Sequence, residues 1–156
     1  MRRVKSLVCD EDGAESVEFA LAATIFFTLI FGIIEFCLVI YAGNFVAIAA
    51  QQGTRYAMVR GSNWTSPCAS VSSYGCKATA VDVQNYELGL AHPGLNLTAS
   101  NITVTWLTTT AAGSTCAQYS QGCQVEVNVS YSFKLNIPFF STSIPLSSTS
   151  IETIQD

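Results

Sequence analysis

Residues 10–42 read DEDGAESVEFALAATIFFTLIFGIIEFCLVIYA and contain the longest apolar run of the sequence. From Phe19 to Ala42 it contains one carboxylate, Glu35. A helix of about 24 residues is about 36 Å long, enough to cross a hydrocarbon core of about 30 Å. In a signal peptide the apolar core is shorter and a small-residue cleavage site follows it, whereas the small residue Gly13 precedes this run. The stretch therefore predicts a transmembrane helix that is retained after any processing.

The charges on either side of the apolar run predict its orientation. Arg2, Arg3 and Lys5 precede the run, and the next basic residue is Arg55. The positive-inside rule then leaves the N-terminus in the cytoplasm and exports the rest of the chain. The net charge is −4 and the pI about 4.8. The exported part has no basic patch, so the composition excludes a nucleic-acid-binding surface.

The helix is expected to continue beyond the membrane. The segment after Ala42 is rich in alanine and has no proline before Gly61, which supplies a stop signal. A continuous helix from Glu15 to Val59 would be about 68 Å long. The sequence thus predicts a cytoplasmic leader at 1–13, a transmembrane and extended helix at 14–60, and an exported head domain at 61–156.

The head domain is predicted to be α+β. Residues 124–137 alternate between apolar and polar side chains over seven periods, which indicates a long antiparallel strand with one wet face. Residues 102–106 and 146–154 are predicted as further strands, and 77–90 as a second helix. We expect the long N-terminal helix to lead into a small pilin-like head in which a second helix packs on a three-stranded antiparallel sheet.

Four cysteines lie in the predicted exported domain: Cys68, Cys76, Cys116 and Cys123. An even number of cysteines in an exported domain suggests disulfides, and four cysteines allow three connectivities. The pairs Cys68–Cys76 and Cys116–Cys123 are favoured because each would staple one Gly/Ser-rich loop. The alternative is a zinc site, which these spacings fit poorly without a nearby histidine.

Catalytic chemistry has little support in the sequence. His92 is the only histidine and lies in a His-Pro-Gly turn. No triad, metal cluster or acid pair can be assembled around it. Trp64 and Trp106 are expected to pack in the core or against loops. We therefore expect neither an enzyme nor a cofactor.

Two carboxylates, Glu18 and Glu35, occur in or beside the apolar run. On one helix they are about 25 Å and about 100° apart, so they cannot serve one site in one molecule. Glu18 could be a carboxylate at headgroup level, and Glu35 a protonated residue hydrogen-bonded inside a helix bundle. The other interpretation is that both find cations or donors on adjacent subunits, as a filament would provide.

Three blocks of the sequence carry a resemblance to a known family. Residues 13–19, GAESVEF, match the G-x4-E-F/Y prepilin-type processing motif of the tight-adherence (Tad/Flp) class. Residues 31–36, FGIIEF, and 49–57, AAQQGTRYA, resemble segments of the TadE-like pseudopilin family. Two positions depart from the pattern: Ala22-Ala23-Thr24 stands where the family often has a proline, and Gln51 where an arginine is common.

The resemblance implies that a membrane aspartic prepilin peptidase cleaves between Gly13 and Ala14. Glu18, beside Phe19, would then be fifth in the mature chain and compensate the N-terminal amine of a neighbouring subunit. The implied function is that of a minor pseudopilin in assembly and adhesion of a Tad/Flp-type IV pilus or a related secretion apparatus. Its head would be periplasmic or extracellular.

The partners that the resemblance implies are other pilin and pseudopilin subunits, the prepilin peptidase, the inner-membrane assembly platform and the lipid bilayer. The chain would reside in the bacterial inner membrane or in the pilus. The alternative is a signal-anchored exported binding protein that never assembles into a filament.

Overall fold

The structure, a computed structural model, describes residues 11–62, 64, 77–90, 94–137 and 140–155. Its architecture is α+β and confirms the predicted fold class: a long N-terminal helix, a second helix and a three-stranded antiparallel sheet. In chain order the elements are α1 (Glu11–Val59), α2 (Ala80–Gly89), a short 3-10 turn (Ala99–Asn101), β1 (Ile102–Thr110), β2 (Cys123–Ile137) and β3 (Phe140–Thr153).

Helix α1 is a single helix of 49 residues. It begins at Glu11, four residues before the predicted start, and ends at the predicted Val59. It continues through Gly43, where an added Cβ would meet nothing within 4 Å. One glycine costs a helix about 0.5–1 kcal/mol, which the alanine-rich sequence on its C-terminal side offsets. At about 74 Å the helix is long enough both to cross a membrane and to carry the head.

The sheet has the order β1-β2-β3, and both strand pairs are antiparallel. Strand β3 differs from the prediction because it begins at Phe140, six residues before the expected start at 146. It contains Pro145, which lies opposite Ser132. Proline cannot donate to the ladder but is tolerated on an edge strand, and β3 is an edge of this sheet. The β2–β3 hairpin is therefore longer than the sequence indicates.

The core lies between the C-terminal part of α1, helix α2 and one face of the sheet. Val125, Val127 and Val129 of β2 are fully buried on this face, as the alternating pattern predicts. Trp106 of β1 is also buried, with its ring centroid 4.6 Å from that of Tyr119. The α1 residues that pack into this core are Val46, Ala49, Ala50 and Ala57.

Helix α2 is fixed at its N-terminus by a capping box. The Thr79 side chain accepts a hydrogen bond from the backbone N–H of Asp82, and the Asp82 carboxylate accepts one from the Thr79 backbone N–H. Such a box satisfies two donors that the first turn leaves open. It begins the helix at Ala80, three residues after the predicted start. Val83 and Glu87 are the buried residues of α2.

Candidate processing and assembly helix

The N-terminal part of α1 is bare. In the part of the chain that the structure describes, one helix, Gly13–Val59, is long and apolar enough to cross a membrane. No residue is buried in the most apolar 18-residue stretch of this helix. Between residues 13 and 41 every side chain is exposed or partly exposed, and Phe19 is 75% exposed. From Gly13 onward, the first buried residue of α1 is Ala42. The head therefore covers the helix only from the end of the predicted span onward.

Gly13 and Ala14 lie in the first turn of α1, and both are exposed. An added Cβ at Gly13 would meet nothing within 4 Å, so the fold leaves this peptide bond sterically accessible. A glycine inside a helix lowers its local stability by about 0.5–1 kcal/mol relative to alanine. The bond between Gly13 and Ala14 thus lies where the helix opens most readily, since helix ends also fray.

Glu18 and Phe19 project from α1 one to two turns after this bond. Both side chains are exposed. Among the described residues no hydrogen bond or ion pair involves Glu18. Ala14 and Glu18 are four residues apart, so their side chains share one face of the helix. The Glu18 carboxylate is consequently close to any new amine formed at Ala14 and is open to a second helix.

Glu35 lies on the side of α1 that, further along, packs against the head. It precedes the buried residues Gly53 and Ala42 by about five and about two helical turns, so the three residues share one face. Glu35 itself is only partly exposed. Because the head stops at Ala42, Glu35 is about 10 Å beyond the head along the helix axis. The face that the head covers at one end of α1 is therefore open where Glu35 lies.

Threonine side chains also lie on this open face. Thr24 and Thr28 precede Glu35 by about three and about two turns. The Thr24 hydroxyl donates to the Ala20 carbonyl and the Thr28 hydroxyl to the Thr24 carbonyl, each at 2.8 Å. Their own donors are thus satisfied within α1, and their oxygens can still accept. Together with Glu35 they give one side of the apolar helix a polar character.

Helix α1 approaches the rest of the head closely at Gly53. A Cβ added there would lie 3.0 Å from Oε1 of Glu87, 3.2 Å from Cγ1 of Val127 and 3.4 Å from Cγ1 of Val83. Even a methyl group at this position would require Glu87 or Val127 to shift, so glycine favours the close packing of α1 against both α2 and β2. Gly53 is part of the AAQQGTRYA block, which therefore has a packing role in this chain.

Glu87 is buried at this contact, with no exposed surface. Burial disfavours the charged form and raises the pKa of Glu87 from 4.5 to about 8. Near neutral pH this side chain is therefore mostly protonated. Glu87 was not predicted as a functional residue from the sequence, although its position four residues after Val83 places it on the core face of α2.

The cysteines are only partly within the described residues. Cys116 and Cys123 form a disulfide with a Cα–Cα distance of 5.9 Å, which is the pairing that the sequence favoured. It closes the loop between β1 and β2. Cys68 and Cys76 lie outside the described residues, as does His92. Cys37, in the apolar run, is a free and exposed thiol.

An aromatic groove lies beyond the core, at the C-terminal end of α1. The rings of Tyr56 and Tyr86 stack with centroids 4.3 Å apart. The Arg60 guanidinium lies 4.3 Å from the Tyr56 centroid and 5.9 Å from that of Trp64. With Arg55 these residues line a groove of about 450 Å³. This cluster was not predictable from the sequence because its members come from α1, α2 and the segment after α1.

Comparison with known proteins gives a family match for the N-terminal helix. Residues 13–55 match the family model described as TadE-like protein. The match confirms the resemblance and covers the G-x4-E-F motif and most of α1, but not the head. The chain matches no curated protein and no solved structure.

Proposed function

Starting from its TadE-like helix, we propose that the chain is a minor pseudopilin of a Tad/Flp-type IV pilus or a related secretion apparatus. It acts in pilus assembly and adhesion through lateral packing of α1 against other pilin subunits in the membrane. The observation that carries the proposal is the division of α1 at Ala42. One part is covered by the head, and the other is exposed and mainly apolar, with Glu18 and Glu35 among its carboxylates.

Processing would prepare this helix for assembly. Cleavage between Gly13 and Ala14 by a prepilin peptidase leaves a positive amine at the N-terminus of the mature helix. A cation is unfavourable at a helix N-terminus, where the helix dipole is positive. Glu18, exposed and on the same face as Ala14, compensates this amine in its own or an adjacent subunit. Its carboxylate thereby favours a defined register between neighbouring helices at the cytoplasmic edge of the membrane.

Glu35 supplies a second reason for helices to associate. An ionised carboxylate at the centre of a membrane helix costs about 2.5–3.5 kcal/mol on insertion scales. The cost falls when the group is protonated or hydrogen-bonded inside a bundle. The face that bears Glu35 also bears Thr24 and Thr28, so a helix packed there finds acceptors as well as a carboxyl group. Association through this face removes Glu35 from lipid.

The head remains outside the membrane on the long helix. Its disulfide and its sheet give a rigid domain for exposure at the cell surface, which agrees with a part in adhesion. The second candidate, a signal-anchored binding protein that does not assemble, is favoured by one observation. This is the groove lined by Arg55, Arg60, Tyr56, Tyr86 and Trp64, which combines aromatic rings with exposed positive charge.

Charge reversal at Glu18 tests the assembly role. We expect Glu18→Lys to insert in the membrane normally but to fall at least about tenfold in the sheared pilus fraction, equivalent to about 1.4 kcal/mol of lost association energy. The matched control is Glu15→Lys, which makes the same charge change one turn earlier, also at an exposed position. Normal incorporation of Glu18→Lys into pili would refute the electrostatic role.

A further inference from the structure

Beyond Val129, strand β2 has a neighbouring strand on one side only. Strand β1 pairs with β2 no further than Ile102 opposite Val129, whereas β3 remains paired with β2 well past this point. Just before β1, the Thr98 N–H donates to the Asn101 side chain at 2.9 Å, which holds the chain in a 3-10 turn instead of along β2. Among the described residues, no strand pairs with β2 here on the β1 side. We call this side of residues 130–136 the free edge.

The hydrogen bonds at the open end of the hairpin show which way the backbone of β2 points. The Ile154 N–H donates to the Cys123 carbonyl at 2.8 Å, so Cys123 directs its carbonyl to the β3 side. From there the register between β2 and β3 continues without a bulge. Because alternate residues of an antiparallel strand direct their backbone groups to opposite sides, the odd-numbered residues of β2 bond to β3. The even-numbered residues Ser132, Lys134 and Asn136 therefore direct their N–H and C=O groups to the free edge.

Two further observations agree with this alternation. Ile102 lies opposite Val129, and its carbonyl accepts a hydrogen bond from Nε2 of Gln84 at 2.9 Å. The Ile102 carbonyl thus points away from β2, as the alternation requires. Pro145 lies opposite Ser132, at a position where a residue of β3 needs no N–H for the ladder. The proline therefore costs the hairpin no hydrogen bond, and the backbone groups of Ser132 point to the other side.

A groove of about 470 Å³ follows the free edge. One wall is formed by Gly94, Asn96 and Asn101 and the other by residues 131–134. Ser130 marks the end next to β1, because its hydroxyl donates to the Asn101 carbonyl at 3.4 Å. Each residue of a strand in a packed sheet takes up about 4.8 Å by about 3.3 Å by about 10 Å, or about 160 Å³. The groove therefore has room for about three residues of an extended chain.

The side chains along the free edge select what binds there. Tyr131 and Phe133 lie on the face that continues the core and are partly exposed. Lys134 lies on the opposite face, is exposed, and is the one charged residue among those that line the groove. In an antiparallel pair, residues directly opposite each other have their side chains on the same face. The complementary segment therefore alternates, with an acidic residue opposite Lys134 and apolar residues opposite Tyr131 and Phe133.

We propose that the free edge binds an extended acidic segment of a partner protein, which adds to the sheet as an antiparallel strand beside β2. Backbone hydrogen bonds to Ser132 and Lys134 provide the affinity, and the alternating side chains provide the selectivity. The added strand takes the place that β1 leaves open. The proposal does not depend on processing or on pilus assembly, because the groove lies within the head.

A synthetic peptide with this alternation tests the proposal. The probe is the capped, fluorescein-labelled heptapeptide Thr-Val-Glu-Val-Thr-Val-Thr, whose glutamate lies opposite Lys134 when the strands are antiparallel. The comparison peptide has lysine in place of the glutamate. The full chain is held in nanodiscs, one copy per disc, and binding is measured by fluorescence anisotropy.

We expect the glutamate peptide to bind in a saturable manner and the lysine peptide to bind at least about threefold more weakly. In the Lys134→Glu chain this preference should reverse, because the charge that selects the peptide is reversed. Equal affinities of the two peptides for the wild-type chain would overturn the proposal. No saturable binding of the glutamate peptide below about 1 mM would do the same.

Two proline variants distinguish the two edges of the hairpin. Ser132→Pro removes an N–H from the free edge, and Ser143→Pro removes one from the outer edge of β3, which already carries Pro145. Ser132→Pro should weaken binding of the glutamate peptide at least about fivefold, because a backbone hydrogen bond is lost and the ring takes its place. Ser143→Pro should weaken it less than about twofold. Equal weakening by both variants would contradict binding at the free edge.

Amide exchange in the unmutated chain, followed by NMR, locates the peptide without any substitution. Saturating peptide should slow exchange of the Ser132 and Lys134 amides at least about tenfold and leave that of Phe133, which already bonds to β3, nearly unchanged. Peptide binding without protection of Ser132 would refute the proposal. So would the same protection in discs that hold two copies and no peptide, because the free edge would then bind a second copy.

Discussion

Replacing Glu87 by glutamine should remove most of the pH dependence of head stability between pH 4.5 and about pH 8. These limits are the pKa values of the Glu87 carboxyl group when it is exposed and when it is buried. Glu87 is fully buried where α1, α2 and β2 meet, next to Gly53. Burial favours its protonated form, so in this pH range the folded head binds more protons than the unfolded chain. The free energy of unfolding must then fall as the pH rises.

The magnitude follows from the size of the pKa change. A change from 4.5 to about 8 corresponds to about 5 kcal/mol of unfolding free energy, fully present below pH 4.5 and lost by the time the pH exceeds about 8. This is a large fraction of the 5–15 kcal/mol that typically stabilises a domain. Glutamine has nearly the same shape and no titrating proton, so the Glu87→Gln head should keep a nearly constant stability.

The assay is urea unfolding of the full chain in detergent micelles, followed by tryptophan emission at several pH values from about 5 to about 8. Wild type should lose several kcal/mol across the series and Glu87→Gln much less. The control is Glu126→Gln, on the other face of the sheet, which should keep the wild-type slope. A flat wild-type profile, or an unchanged slope in Glu87→Gln, would show that the burial of Glu87 does not cause the pH dependence of stability.

Two glycines of α1 give further predictions. Gly53→Leu should destabilise the head by about 1–3 kcal/mol or more in the same urea assay, because the leucine side chain would overlap Glu87 and Val127. Undiminished stability would show that α1 does not pack closely against α2 and β2 at this position. Gly13→Ala should slow prepilin-peptidase cleavage by about 2- to 5-fold, because it raises the local helix stability by about 0.5–1 kcal/mol. Cleavage should slow further if the peptidase cleft excludes a methyl group. As a control, Gly43→Ala gives the same gain in helix stability far from the bond and should leave the cleavage rate unchanged. Cleavage is measured by the mobility shift of the mature chain. Equal cleavage rates for wild type, Gly13→Ala and Gly43→Ala would show that Gly13 does not favour processing.

The elements with strong periodicity were predictable from the sequence. The apolar run and the alanine-rich segment indicated one helix to Val59, and the alternation at 124–137 indicated β2 and its buried face. The length of β3 was not predictable from its pattern. Its first half is rich in serine and contains Pro145, and it becomes a strand because β2 offers a long partner.

Which residues of α1 face the head could be determined only from the tertiary structure. The sequence placed Glu18 and Glu35 on different faces of α1. It could not show that Glu35 shares its face with Gly53, because that requires knowing which side of the helix the head covers. The burial of Glu87 was similarly hidden, since a glutamate in a short helix is ordinarily exposed. Its position relative to Val83 was the available signal.

If α1 is a processed helix that packs into a pilus, the N-terminus of the chain in its native host will show it. The measurement is mass spectrometry of N-terminal peptides from the membrane and from sheared pili. We expect the chain to be present in the sheared pili and to begin at Ala14. A chain that keeps Met1 beside a functional prepilin peptidase, and that is absent from the sheared pili, would contradict it.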